Sequence, residues 1–431
     1  MNSKSFFSDV NIPNDDVLTN CMHCGLCLPT CPTYSLTGNE RSSPRGRIRL
    51  IKSVAEGTLE ITPRFVDEMN FCLDCQACET ACPAGVKYGS LVEAARSQIF
   101  QQGKESFKEN ILKKIFLTRI LSHKRLLKFV SRVLRIYQQH GFEWFMNVSG
   151  LIHFFTPKLA KIQKLSPRID IKFFDESHPE IISPKEKPKY RVGFLSGCIM
   201  NVAYTGVHDD TVQVLLHNNC EVVIPKNQEC CGSLQAHNGD IETARRLAKH
   251  NIDVFLQYDL DAIVMNSAGC GALMKEYGHY LEHDAEYAEK AKLFSSKVKD
   301  LTEFLFSIEY IKPEQEFLHR VAYHDACHLI HAQKISAEPR ALLKSIPGID
   351  LVELHEASWC CGSAGIYNVT HYEDSMKLLE RKMSNVKETK AEYIVAGNPG
   401  CMGQMEYGCS LFNVKTEIVH FATLLRKAYR I

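Results

Sequence analysis

Cys21, Cys24, Cys27 and Cys31 fall within eleven residues and are followed at once by Pro32; Cys72, Cys75, Cys78 and Cys82 repeat the spacing and are followed by Pro83. Three thiolates at i, i+3 and i+6 can cap three irons of a cube from one short loop, while the fourth, beside proline, ligates the other cluster of a pair. By that rule Cys21, Cys24, Cys27 and Cys82 hold one [4Fe-4S] cluster, and Cys72, Cys75, Cys78 and Cys31 hold the second. Structural zinc usually takes its ligands as two separated pairs, which three evenly spaced cysteines do not match. The crossed assignment predicts that the two runs fold together.

The spacing is that of bacterial ferredoxins, but the forty residues between Cys31 and Cys72 do not read as a compact strand-turn repeat. Ile48 to Ala55 and Pro63 to Met69 carry helical apolar spacing. Val92, Ala95 and Ile99 supply the face of a last helix. An all-helical ferredoxin-like module over residues 1–103 is expected. The arginines of Arg41, Arg45, Arg47 and Arg49 read either as a solvated helix start or as cations that offset the charge of nearby cluster thiolates.

Residues 104–135 hold ten Lys or Arg against two Glu, interleaved with apolar residues from Ile111 and Leu112 to Leu134 at helical spacing, with a break at Ser122 to Lys124. The simpler expectation is a helical pair packed on its own protein with a basic outer face; the alternative is docking to an anionic membrane or an acidic partner. From Thr156 to Lys189 prolines and lysines mark a wrapped connector, so residues 104–189 form a basic helical connector and linker.

The C-terminal half is duplicated. A short apolar run from Arg191 to Gly197 leads into Cys198, then after 31 intervening residues come Cys230 and Cys231, and a predicted strand from Ala262 to Asn266 precedes Cys270. The second copy runs from Val321 to Ala326 into Cys327, then after 32 intervening residues come Cys360 and Cys361, then a strand from Tyr393 to Ala396 before Cys401. Gaps of 38 and 39 residues from paired to last cysteine complete the match. Helical stretches, Ile241 to Leu256 and Tyr372 to Met383, lie between, which is the grammar of α/β units with ligands past the strand ends. Two α/β domains, 190–312 and 313–431, are expected, each gathering four cysteines. Gly232 and Gly362 let the chain turn beside the paired thiols. Each set suffices for one further cluster; zinc, or thiols that only pack, are the other readings. Cys220 and Cys409 remain as core residues. His324, His328 and His331 near Cys327 read as polar residues at a strand end or as hydrogen-bond donors to a cluster.

Net charge is +1, with 51 Lys plus Arg against 50 Asp plus Glu, so no nucleic-acid partner is expected. Residues Met1 to Asp16 lack the plan of a signal peptide, no stretch approaches a membrane span, and 18 cysteines point to a reducing compartment. The expected location is cytoplasmic, with peripheral placement on the inner face of the membrane as an option. No Gly-rich dinucleotide fingerprint, P-loop or nucleophile elbow is present.

With both cysteine runs and both repeats in view, the chain resembles the glycolate oxidase iron-sulfur subunit family. The likeness extends to Ser43-Pro44-Arg45-Gly46-Arg47, Ser267-Ala268-Gly269-Cys270, Lys275-Glu276-Tyr277-Gly278, His331-Ala332-Gln333-Lys334 and Cys360-Cys361-Gly362-Ser363. Related iron-sulfur subunits of anaerobic glycerol-3-phosphate dehydrogenase, lactate-utilisation systems and heterodisulfide reductase share the plan of ferredoxin module plus cysteine-rich (CCG) domains. Heterodisulfide reductase repeats carry a fifth cysteine where this chain has Leu273 and Gln404. The resemblance implies an electron relay in an oxidoreductase complex, in which a flavin-containing dehydrogenase subunit oxidises a 2-hydroxy acid and a quinone or other acceptor takes the electrons. A metal-stabilised scaffold is the rival from another class.

Overall fold

The computed structural model describes residues 5–8, 13–104, 111, 113–150, 152 and 157–431. Leu112 and Thr156 of the connector, residues 105–110 of its basic segment and part of the N-terminal stretch read above for a signal peptide lie outside the described residues.

The N-terminal module is helical, and its sequence says why. The Ser43 and Thr62 side chains accept hydrogen bonds from the N–H groups of Gly46 and Phe65, and Pro44 and Pro63 take the first helical position, where a missing N–H costs nothing. These caps start helices α1 (Pro44–Ala55) and α2 (Pro63–Phe71). Helix α3 (Tyr88–Gln101) closes the module. Ile51, Val54, Met69, Leu91, Val92, Ala95 and Ile99 are fully buried in one core with Ile48 and Phe65. Val92, Ala95 and Ile99 are the face expected from sequence.

The connector reverses one expectation. Helix α4 (Lys124–Gln139) starts after the predicted break and turns through Gly141 (φ 82°) into α5 (Phe142–Val148). Four of its five bases are engaged by the linker that returns beneath it. Lys124 and Lys128 reach Asp175 Oδ2 at 2.8 and 2.6 Å, Arg132 reaches Glu176 Oε1 at 2.8 Å, and Arg135 donates to the Asp170 carbonyl at 3.0 Å. Asp175 and Glu176 lie on the returning linker, so the inner side of α4 is clamped by charge as well as by the buried Leu127, and four of its apolar residues are left outside. Leu126, Phe129, Val133 and Ile136 are exposed.

Two α/β units follow. The first sheet has strand order β1-β3-β2-β4-β5, with β1 (Ile181–Ile182), β2 (Tyr190–Phe194), β3 (Cys220–Val223), β4 (Ala262–Met265) and β5 (Val298–Asp300). All neighbours are parallel except β1, which runs antiparallel to β3. The linker thus gives an edge strand to the first repeat from upstream of residue 190. The second sheet, order β7-β6-β8-β9, is fully parallel, built from β6 (Arg320–His324), β7 (Asp350–Val352), β8 (Tyr393–Ala396) and β9 (Glu417–His420). Strands β2 to β5 and β6 to β9 share one topology. Helices α6 (Ile241–Phe255) and α8 (Tyr372–Thr389) precede β4 and β8; α7 (Ala268–Lys275) and α9 (Pro399–Phe412) follow them. Strand β4 is buried throughout, as expected of a central parallel strand covered on both faces.

The helical module docks on the repeats through buried charge. Arg96 of α3 donates to the carbonyls of Met69 (2.9 and 3.1 Å), Cys72 and His237 (2.8 Å). His237 Nδ1 lies 2.6 Å from Glu93 Oε1 and 3.2 Å from Asp74 Oδ2, and its ring stacks on His328 at 4.8 Å. His328 Nε2 bonds the Asp74 carbonyl at 3.0 Å, and His331 Nδ1 bonds Thr80 Oγ1 at 3.0 Å. A buried charge left without a partner costs several kcal/mol, so this network holds as a set. Burial opposes the His237 cation, but Asp74 and Glu93 outweigh it and push its pKa up to about 10. A histidine raised in this way stabilises fully below its unfolded value of about 6.5 and progressively less towards its folded value. Thermal unfolding of the anaerobic full chain is therefore expected to show a midpoint that declines as pH rises from about 6.5 towards about 10, and a smaller alkaline decline in His237→Gln.

Candidate metal centres

The two N-terminal cysteine runs are folded by the same backbone device. His23 and Asp74, each just before the second cysteine of its run, have φ of 55° and 53°; Gly25 and Gln76, just after it, have φ of 86° and 58°. Two left-handed residues flanking one cysteine curl each loop so that its thiols face inward. At Gly25 a Cβ would also lie 2.6 Å from Arg45 Nη1 and push that guanidinium aside. Arg45 in turn donates to the His23 carbonyl at 3.0 Å.

Each curled loop lines a cavity. Cys21, Cys24, Cys27 and Cys82 line one of about 410 Å³, partly open to solvent. Cys31, Cys72, Cys75 and Cys78 line the other, of about 300 Å³, and Cys78 and Tyr88 lie on the wall between them. Burial, then the neighbouring thiols of Cys327 for Cys75 and of Cys75 and Cys72 for Cys78, raises these two pKa values well above the ordinary range. Four such thiols cannot ionise together without a cation among them, and thiolate is the form that binds metal. The donor set therefore fits an iron-sulfur cluster, and several neighbours already favour its negative charge. Tyr88 O–H donates to Cys72 Sγ at 3.5 Å and the Asp74 N–H at 3.4 Å. Arg47, fully buried, donates to Thr33 Oγ1 (3.1 Å) and to the Ser42 and Glu68 carbonyls. Burial opposes its charge, but Tyr88, Cys72, Cys31 and Glu68 hold its pKa above the usual value. The arginine series therefore divides: Arg47 and Arg45 stand at the cysteine loops, while Arg49 is exposed and Arg41 pairs with Glu68.

In each repeat the three cysteine positions lie beyond the carboxyl ends of the parallel strands, where the strand order switches direction. Cys198 follows β2, Cys230 and Cys231 follow β3, and Cys270 is in the first turn of α7; Cys327, Cys360, Cys361 and Cys401 repeat this after β6, β7 and at the start of α9. Cys198 Sγ is 3.4 Å from Cys230 Sγ. Gly232 and Gly362 have φ of 91° and 89°, and a Cβ on Gly362 would stand 2.7 Å from the Ser375 carbonyl oxygen, so the turn beside the paired thiols requires glycine. Hydrogen bonds from Cys198 and Cys231 lower Cys230 well below the usual thiol range, and those from Cys360 and Cys401 do the same for Cys361. Cys220 is buried in β3, and Cys409 packs on the second core with its Sγ 3.8 Å from the Thr416 carbonyl; neither joins a cysteine cluster. Leu273 is core, and Gln404 bonds Asn368 and Ser375.

The repeats are not equal. His324, three residues before Cys327, is 1% exposed; its ring nitrogens find no conventional partner, and one lies within 4.8 Å of the sulfurs of Cys361 and Cys401. The matching residue before Cys198 is the aliphatic Leu195. Lys382 of α8 is also buried beside this site and donates to the carbonyls of Glu356 and Ala357. Burial brings its pKa down to about 8 although the Cys361, Cys360 and Cys401 thiols work the other way. Sequence reading missed Lys382 because a lysine within a helical run looks solvated. The second site also touches the module: Leu73, Cys75, Cys360, Tyr367 and Leu378 form one apolar cluster against which Cys327 packs.

Comparison with known proteins agrees with this organisation. A 4Fe-4S dicluster domain model matches residues 17–86, a cysteine-rich domain model matches 192–275 and 321–406, and a model of the linker region of the glycolate oxidase iron-sulfur subunit matches 108–166. The chain is 40% identical over 417 residues to the probable glycolate oxidase iron-sulfur subunit of Bacillus subtilis, covering 95% of this chain and 94% of that one. It is 32% identical over 394 residues to the glycolate oxidase iron-sulfur subunit of Escherichia coli, covering 90% and 89%. Lactate utilization protein A of Shouchella clausii is 32% identical over 234 residues, which is 53% of this chain and 95% of that one. A helical module with two curled cysteine loops, a linker and a duplicated cysteine-rich α/β unit, matched nearly end to end, place the chain in the glycolate oxidase iron-sulfur subunit family.

Proposed function

We propose that this chain is the electron-relaying iron-sulfur subunit of a complex that oxidises glycolate or a closely related 2-hydroxy acid. In this reading Cys21, Cys24, Cys27 and Cys82 hold one [4Fe-4S] cluster, and Cys72, Cys75, Cys78 and Cys31 hold the other. Cys198, Cys230, Cys231 and Cys270, and Cys327, Cys360, Cys361 and Cys401, form a further metal site in each repeat. Substrate oxidation belongs to a flavin-bearing partner, and a quinone or another acceptor receives the electrons. The lactate-utilisation relative supports the class of 2-hydroxy acids more broadly than glycolate alone.

The observation that carries this reading is that Cys75 and Cys360 belong to one buried apolar cluster against which Cys327 packs. It brings thiols of the module and of the second repeat into the same buried region, and the Cys327 thiol acts electrostatically on Cys75. An iron-sulfur cluster, when bound, supplies one-electron storage without bond breaking in a substrate. The chain's own residues then do four things: the curled loops present thiols, Tyr88 and the Asp74 N–H bond Cys72, Arg47 lends positive charge, and the apolar cluster around Leu73 and Tyr367 excludes water.

Two measurements test this. In the complex purified with its flavoprotein, anaerobic addition of glycolate is expected to produce the low-temperature paramagnetic signals of reduced [4Fe-4S] centres; a chain that carries zinc and no iron contradicts the reading. Tyr88→Phe, which removes the O–H donated to Cys72 and keeps the ring, is expected to lower the midpoint potential of one cluster by up to about 60 mV, a tenfold effect for one electron. Redox titration followed by electron paramagnetic resonance reads that shift, and the other cluster should move less.

A further inference from the structure

Eleven of the 22 exposed large apolar side chains among the described residues fall between Ile111 and Val148. On α4 they are Leu126, Phe129, Val133 and Ile136, spaced i, i+3, i+7 and i+10, a single stripe along a helix about 24 Å long. On α5 they include Phe142, Trp144 and Val148, 56, 68 and 67% exposed. An apolar patch of this kind on a protein surface marks a place where something docks.

Charge decides what docks. Residues 111–150 contain eight Lys or Arg and one acid, Glu143. That acid is engaged by Arg168 and Gln163. Four of the bases, Lys124, Lys128, Arg132 and Arg135, are used against the protein's own linker. Arg119 and Arg125 are exposed and have no acidic partner among the described residues, and Lys114 is exposed beside the Phe100 ring. The patch therefore presents apolar side chains accompanied by unneutralised bases. A second copy of the chain would set these bases against one another. A surface with an apolar interior and an anionic boundary satisfies both features at once.

We propose that the outer face of α4 and α5 seats this chain on an anionic lipid bilayer, lying in the headgroup boundary without crossing it. No helix of the described residues is long and apolar enough to span a membrane. In an ordinary interfacial helix the charged face meets water. Here that face is clamped to Asp175 and Glu176, so the apolar face is held outward before any membrane arrives and ordering it costs little at the moment of docking. Arg119, Arg125 and Lys114 then add attraction to anionic headgroups.

The test is co-sedimentation of the anaerobic full chain with vesicles of equal parts phosphatidylglycerol and phosphatidylcholine, and with vesicles of phosphatidylcholine alone. Expected are binding to the anionic vesicles that weakens in half-molar salt, little binding to the neutral ones, and a loss of about tenfold in Phe129→Asp with Val133→Asp. Arg119→Glu with Arg125→Glu should remove much of the salt-sensitive part. No binding at low salt, or binding that the Asp pair leaves unchanged, overturns the proposal. It is equally overturned if the wild type ignores vesicles while the Asp pair abolishes capture of the purified flavoprotein, which assigns the face to a protein partner. Iron content and far-ultraviolet circular dichroism on the same samples show that the variants fold. Those readings also separate this proposal from the relay function, which stands or falls on iron and its reduction.

Discussion

Buried thiols cannot all carry charge, and most of this structure answers that constraint. In the second N-terminal cavity Cys75 and Cys78 are pushed far above their ordinary range by burial and by neighbouring thiols. In the repeats hydrogen bonds from neighbouring thiols lower Cys230 and Cys270 in one, and Cys361 in the other. What surrounds the thiols is accordingly positive or donating: Arg47 in the module, Tyr88 O–H, and the backbone N–H groups of Asp74 and Gly232. The helical caps that start α1 and α2 serve the same end, since α1 carries Arg47 and α2 delivers Cys72.

The second dependence is on how the module meets the repeats. Asp74 lies between Cys72 and Cys75, and it is held by His237 and Arg96 through its side chain and by His328 through its carbonyl. A cysteine loop is therefore part of the interdomain contact rather than beside it. Gly239 marks how close that contact is, because a Cβ there would stand 2.4 Å from the Arg96 carbonyl oxygen. A small displacement of one domain would be felt directly at Cys72 and Cys75.

Much of this was legible in the sequence because cysteine spacing and apolar periodicity are local signals. The helices of the module, the two α/β repeats and the glycine turns at Gly232 and Gly362 all follow from patterns within a few dozen residues. The connector was misread for a physical reason: the sequence shows ten bases near one another but not that Asp175 and Glu176, some fifty residues on, fold back to meet them. Strand β1 was missed because Ile181 and Ile182 are two residues amid prolines, and only pairing with β3 makes them a strand. His324 was noticed but given no role apart from its neighbours: the count back from Cys327 sets it against Leu195, but only the fold shows its ring buried beside Cys361 and Cys401.

That last difference means that the two copies are not interchangeable. At the first site Leu195 stands where the second has His324, and the imidazole whose charge reaches Cys270 is His237, itself held by Asp74 and Glu93 of the module. The second site has buried basic groups of its own, His324 and Lys382. One copy thus borrows its counter-charge from the contact between domains, while the other carries it within its own fold.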